Sequence, residues 1–281
     1  MTTPTAAPLP ADVTARLDAA IAATRLAAAE TLRWFGRPDL AVEDKADLSP
    51  VTAADRAAEA ILRRALLGAF PHDAFLGEET GATAGTSGWE WVVDPVDGTK
   101  SFIRGVPLYA TLVGCRRGDA GVVGVIAIPA LDEMVYAAAG CGAWHVRRAA
   151  SPVRARVSSR ARLADALACS SDFTSFARWS GGPTAGAEAR DRVERAFRLA
   201  RTWGDGYGYL LVATGRAEAM VDPLMNRWDA AAVETVVVEA GGRYTDWHGR
   251  PRIDSGDGLA TNGLVHDEVV RMLTGAAGTS G

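Results

Sequence analysis

Trp91-Val92-Val93-Asp94-Pro95-Val96-Asp97-Gly98-Thr99-Lys100-Ser101-Phe102 concentrates more possible chemistry than any other part of the chain. The apolar run Trp91–Val93 reads as a buried strand that delivers Asp94 at its carboxyl end. Pro95 has no N–H for a ladder, so the chain is expected to leave the sheet there. Asp97 follows three residues after Asp94, and a turn between them puts both carboxylates on one side. Gly98 lets the backbone approach a ligand closely, and Thr99 can open a helix whose first N–H groups face an anion. Two acids beside such amides make a place where divalent cations meet a phosphate. The same residues also suit a plain Asp-Pro turn closed by Asp97-Gly98. An EF-hand is excluded, because the acids have the wrong spacing and no Glu closes a loop.

Working outward, residues 12–35 are Ala-rich, carry Leu17, Ile21, Leu26 and Leu32 near helical spacing, and end at Gly36 before Pro38. Residues 52–70 carry Ile61, Leu62, Leu66 and Leu67 and stop at Pro71. Both stretches predict helices. Five short β-branched and aromatic runs follow, at 89–93, 109–116, 122–128, 134–139 and 143–146. Gly, Pro or Asp separates them, which predicts an antiparallel meander. Beyond residue 158 the texture alternates. Strands are expected at 166–170 and 219–221, and helices at 187–199, 208–213 and 230–240, the last closed by Gly241-Gly242. Residues 81–88 and 180–187 read as mobile loops and 275–281 as a disordered tail. This order predicts a layered α+β fold in two halves, 1–158 and 159–281, with no obvious linker.

Composition narrows the function. The chain has 281 residues, 48% hydrophobic and 23% charged, which excludes wholesale disorder and permits a sizeable core. Its net charge of −4 and the lack of a basic run argue against nucleic acid as a partner. Cys115, Cys141 and Cys169 fit neither a disulfide framework nor a CxxC zinc pattern, which indicates a reducing compartment. The first apolar stretch, 19–29, is interrupted by Arg25 and is too short to span a bilayer. A cytoplasmic protein with no membrane partner is expected. Lysine occurs only at 45 and 100, both inside motifs discussed here.

Three further acidic motifs carry weak signals singly. Phe75-Leu76-Gly77-Glu78-Glu79-Thr80 places two acids after a short strand, and surface acids are common. Asn226-Arg227-Trp228-Asp229 leads into an Ala-rich helix, where Asp229 suits an N-cap. Asp55, in the first turn of the second helix, suits the macrodipole. In this order and spacing, however, GEE, WVVDPVDGTKSF and WDAAA followed by GG resemble the inositol-monophosphatase-like family of metal-dependent phosphatases. The resemblance runs from about residue 43 to about residue 262. It implies an αβαβα sandwich, Mg2+ dependence with two or three ions per site, and a homodimer. It also implies one metal on Glu78, Asp94 and the Val96 carbonyl, and a second on Asp94, Asp97 and Asp229. Gly98 and Thr99 resemble the family's phosphate cradle, and Thr99 with Asp55 its water-activating pair. Most of these ligands fall in the first half, with Asp229 and the substrate-selective residues in the second. His72, His145, His248 and His266 lie outside the motifs, which gives a phosphohistidine route or a zinc site little support.

The alcohol must be chosen elsewhere. RTWGDGYGYLLVATGRAEAMVDP, residues 201–223, resembles the histidinol-phosphatase branch, as do KADLSPVTAADR and DGTKSF. One departure is Gly206, where the branch implies Cys, a small-for-small change expected to leave the backbone alone. Histidinol phosphate carries an ammonium and an imidazole, whereas inositol phosphate offers only hydroxyls. An acid such as Asp205 would pair with the former and be poorly repaid by the latter. Asp205 also suits a capping or turn role. Three readings stand: a histidinol-phosphate phosphatase of histidine biosynthesis; a broader inositol, fructose-bisphosphate or nucleotide 3′-phosphate phosphatase; and a non-catalytic metal-stabilised regulator.

Overall fold

The computed structural model describes residues 10–44 and 50–275; Lys45 and the tail beyond Gly275 lie outside the described residues. The Ala-rich stretch forms α1 (Ala11–Trp34), which turns Val13, Ala20, Ala23 and Ala27 inward. A short hairpin of β1 (Val42–Asp44) and β2 (Pro50–Thr52) leads into α2 (Ala53–Ala69). Thr52 caps α2, and Asp55 returns its side chain to the Thr52 N–H, a reciprocal capping box.

The meander is present. β3 (Ala74–Gly77), β4 (Gly81–Thr83), β5 (Trp89–Asp97), β6 (Ala110–Arg117), β7 (Ala120–Ile128), β8 (Glu133–Ala138), β9 (Gly142–Arg147) and β10 (Val153–Arg154) form one sheet. Its strand order is β10-β9-β8-β7-β6-β5-β3-β4, and β5 to β9 pair antiparallel in sequence. β5 is buried from Trp91 to Val96, because helices cover both faces of the sheet there, so its sequence reads as an apolar run without alternation. Pro95 does not end the strand. The register shifts between Asp94 and Asp97, and the proline sits in that irregularity. Gly81–Thr83, expected to be a mobile loop, is an edge strand on β3.

After β5 come α3 (Thr99–Ile103), β11 (Leu167–Cys169), α4 (Pro183–Ala196), β12 (Leu199–Arg201), α5 (Gly206–Ala213), β13 (Ala219–Asp222), α6 (Arg227–Glu239), β14 (Arg243–Thr245), β15 (Gly258–Thr261) and α7 (His266–Thr274). The second sheet has the order β12-β11-β13-β15-β14 and mixes parallel with antiparallel pairs. β14, β15 and α7 form where the sequence led to no expectation, and α4 differs from its expected bounds. Residues 183–187 form the first turn of α4, and that helix stops at Ala196, so 199 begins a strand.

The layers follow from the cores. α1 and α2 pack on one face of the first sheet through Leu62, Leu66, Trp91 and Val113. α5 and α6 fill the space between the two sheets, and α4 and α7 close the outer face of the second. The result is the expected αβαβα sandwich. α5 is buried nearly all round, as a helix between two sheets must be. α6 lies close on β6 and β7, where Gly114 and Gly124 face it: a Cβ there would meet the Ala231 and Ala232 backbone at 2.9 and 2.4 Å. That close approach brings the start of α6 to the carboxyl end of β5.

Candidate active site

The carboxylates of Asp94, Asp97 and Asp229 converge there, with one oxygen of each within 4.8 Å of the others. Asp94 and Asp97 flank the irregularity in β5, and Asp94 accepts the Val96 N–H at 3.0 Å. Asp97 accepts the Gly206 N–H at 2.5 Å. Asp229 is not the N-cap of α6: the helix starts two residues earlier. Asp229 is its third residue and accepts the Asn226 N–H at 2.7 Å. Glu78 adds a fourth carboxyl and shares a hydrogen bond with Asp94.

Burial and mutual repulsion disturb this cluster. Loss of water pushes Asp94 far above the carboxylate range, and the charges of Glu78, Asp97 and Asp229 push it further. Asp97 is raised well above that range by burial, then by Asp205 and Asp229. Burial also lifts Asp229 to about 7, against the opposing Asn226 N–H. Carboxylates gathered this closely are relieved by protons or by a cation, and an all-oxygen donor set suits a hard divalent ion such as Mg2+. The residues present fit that group.

Gly98 precedes α3 in a left-handed conformation, φ +83°, and a Cβ on it would lie 2.4 Å from an Asp205 carboxylate oxygen. Only glycine suits both demands. Thr99 opens α3, and its hydroxyl has two acceptors, the Val96 carbonyl at 3.1 Å and Asp55 Oδ1 at 3.3 Å. Asp55 is fully buried, its other oxygen accepting the Thr52 N–H and hydroxyl, and burial raises its carboxyl.

These groups open into one cavity of about 500 Å³, which the second half of the chain also lines through Asp172, Arg178, Asp205 and Asp222. Asp205 holds the N-cap position of α5 but makes no capping hydrogen bond; burial raises its carboxyl. The place of Gly206 is tight: a Cβ would meet Ala110 at 2.7 Å and Asp97 Oδ2 at 2.9 Å. A larger residue there would require Asp97, Ala110 or Leu112 side-chain atoms to shift. Asp222 was not singled out by the sequence. It ends β13, accepts the Ser171 N–H at 2.8 Å and the Tyr209 hydroxyl at 3.0 Å, and burial pushes it up to about 6. Its signal was available: Val221-Asp222-Pro223 repeats the strand-then-Asp-Pro order of Val93-Asp94-Pro95. The histidines stand elsewhere, His266 between Thr245 and Thr261 and His145 on Glu133.

A model of the inositol monophosphatase family matches residues 12–275. The chain belongs to the inositol monophosphatase family. Within that family it is 41% identical over 239 residues to a histidinol-phosphatase of Mycobacterium tuberculosis, covering 85% of this chain and 90% of that one. It is 40% identical over 248 residues to a histidinol-phosphatase of Chlorobaculum parvum, covering 88% and 91%. Among solved inositol monophosphatase folds, the extragenic suppressor protein suhB of Bartonella henselae superposes with a TM-score of 0.82 at 29% identity, over 92% of this chain and 98% of that one.

Proposed function

We propose that this member of the family is a Mg2+-dependent histidinol-phosphate phosphatase, hydrolysing the ester to histidinol and phosphate. One observation carries the reading of the site: the cavity that gathers the Asp94, Asp97 and Asp229 carboxylates is walled further out by Asp205 and Asp222. Beyond the proposed metal ligands, Asp172, Asp205 and Asp222 outnumber Lys100 and Arg178 in the lining, and that excess of negative charge suits an alcohol that brings a positive charge. The likeness to two histidinol-phosphatases points the same way.

Glu78, Asp94 and the Val96 carbonyl would hold one ion, and Asp94, Asp97 and Asp229 a second. Bound Mg2+ supplies charge neutralisation of the phosphate and an acidified water for in-line attack. The chain's own groups do the rest. The N–H groups of Gly98 and Thr99 orient the phosphate at the start of α3. Thr99 Oγ1 takes a proton from the attacking water as its own passes to Asp55 Oδ1. The raised basicity that burial gives Asp55 suits it to that task. Because the Thr99 hydroxyl has one proton for two acceptors, donation to Asp55 frees the Val96 carbonyl for a cation. Asp205 pairs with the substrate ammonium. Residues 1–158 supply most of the metal site and residues 159–281 the alcohol pocket and Asp229. The working protein is a cytoplasmic homodimer.

Asp205→Asn tests the reading. A charge-assisted hydrogen bond is worth roughly 1.5–3 kcal/mol, or about one to two decades in kcat/KM. Turnover of histidinol phosphate is expected to fall by that factor while hydrolysis of glycerol phosphate is retained. Equal losses on both esters would make Asp205 structural.

A further inference from the structure

Asp55 and Glu59 stand four residues apart on α2, hence on one face, and both are fully buried. Asp55 reaches Thr99; Glu59 reaches the turn that carries Glu78. Glu59 Oε2 accepts the Glu79 N–H at 2.8 Å, and Oε1 accepts the Thr80 N–H at 2.8 Å and the Thr80 hydroxyl at 2.5 Å. On its other side the carboxylate lies flush against Gly77. A Cβ there would fall 2.4 to 2.6 Å from all three carboxylate atoms. A buried carboxylate is tolerated only when its oxygens are satisfied, and this one is satisfied by the turn following β3. Its burial and the conformation of residues 77–80 are therefore one condition.

We propose that Glu59 is a positioning residue of the metal site, holding the turn 77–80 in the conformation that sets Glu78 against Asp94. The inference rests on Glu78 being a metal ligand. Glutamine does not replace Glu59, because its NH2 group would face the Glu79 or the Thr80 N–H, neither of which can accept. α2 then sets both walls of the cavity from a single rigid element, Thr99 through Asp55 and Glu78 through Glu59.

The test is calorimetric titration of Mg2+ into metal-free protein, which needs no substrate. Loss of such a supporting contact typically weakens metal binding about 10–100-fold. Glu59→Gln is expected to weaken Mg2+ by that factor and to raise the Mg2+ needed for half-maximal activity equally, with kcat recovering at saturating Mg2+. Combined with Glu78→Gln, it should weaken binding no further than Glu78→Gln alone, since both act through one ligand. Thr80→Val removes only the hydroxyl donor and keeps the shape, so it should shift binding in the same direction by less, and it decides the matter if Glu59→Gln does not fold. Variants that lower Tm but leave Mg2+ binding unchanged, or losses that multiply in the double variant, overturn the proposal. A wild-type protein that binds no Mg2+ overturns instead the metal-dependent reading on which it rests.

Discussion

Asp229→Asn should make the metal-free protein more stable while destroying its function. In the folded chain, burial lifts the Asp229 carboxyl from 3.8 to about 7, and the nearby Glu78 and Asp205 charges add to it. A native group with a raised carboxyl pKa binds more protons than the unfolded chain between about pH 4 and 7. Stability therefore falls as pH rises through that interval, and the whole cost is present above it. At about 1.4 kcal/mol per pH unit, keeping Asp229 ionised costs on the order of 4 kcal/mol, and sharing among coupled carboxylates leaves roughly 2–4. Asparagine removes the charge and still accepts the Asn226 N–H, so the start of α6 survives. Urea unfolding in EDTA should show the variant more stable than the wild type at pH 8, by about 2–4 kcal/mol, with the gap closing towards pH 4. Mg2+ should then stabilise the variant less than the wild type, because one of its two proposed sites has lost a ligand. A variant less stable than the wild type in EDTA at pH 8, or a gap unchanged at low pH, would refute the argument from crowded charge.

Two other outcomes follow from particular contacts. Thr99→Ala should keep Mg2+ affinity, because its hydroxyl is not a ligand here, and lower kcat by about 10²–10⁴-fold in single-turnover assays; an unchanged kcat would remove the Thr99–Asp55 pair from the mechanism. His266, buried between two threonine hydroxyls, is held down to about 4 by burial, so its imidazole stays neutral to well below pH 6. NMR titration should show it titrating at about 4, and its contribution to stability should decline as pH falls from about 6.5 towards 4.

Much of this molecule was legible beforehand, and its illegible parts share physical causes. Long elements announced themselves: α2 through its apolar stripe and Pro71, and β5 to β9 through β-branched runs between turn residues. Strands of two to four residues at sheet edges, such as β4, β10 and β12, bury too little to leave a pattern. Gly81–Thr83 and the first turn of α4 were masked by Gly-rich composition, which describes what the backbone permits and not what its neighbours impose. Pro95 misled for a related reason. The rule that proline ends a strand holds for a regular ladder, and β5 carries its proline where the register slips.

The site divides along the same line. Asp94, Asp97, Glu78 and Asp229 come together from three separate motifs, and motif order was enough to group them. Asp229 joins the carboxylate cluster but is not the cap of its helix, because Asn226 is an equally good cap three residues earlier. Glu59 belongs to no motif that stands out, and Asp222, although inside the quoted 201–223 segment, carries no residue-level signal stronger than an Asp-Pro step. Their importance comes from burial and from partners far along the chain, and only coordinates supply those. Gly206 was judged by size alone, whereas its place is defined by the distance to Asp97.

Phosphate release by the wild-type protein, measured with and without Mg2+ on histidinol phosphate and inositol phosphate side by side, tests the central claim most directly. The account predicts turnover that requires Mg2+, stops with EDTA and favours histidinol phosphate by at least about one decade in kcat/KM, the low end of what one charge-assisted contact supplies. Equal or better hydrolysis of inositol phosphate would contradict the proposed substrate, and turnover undiminished by EDTA would contradict the metal site itself.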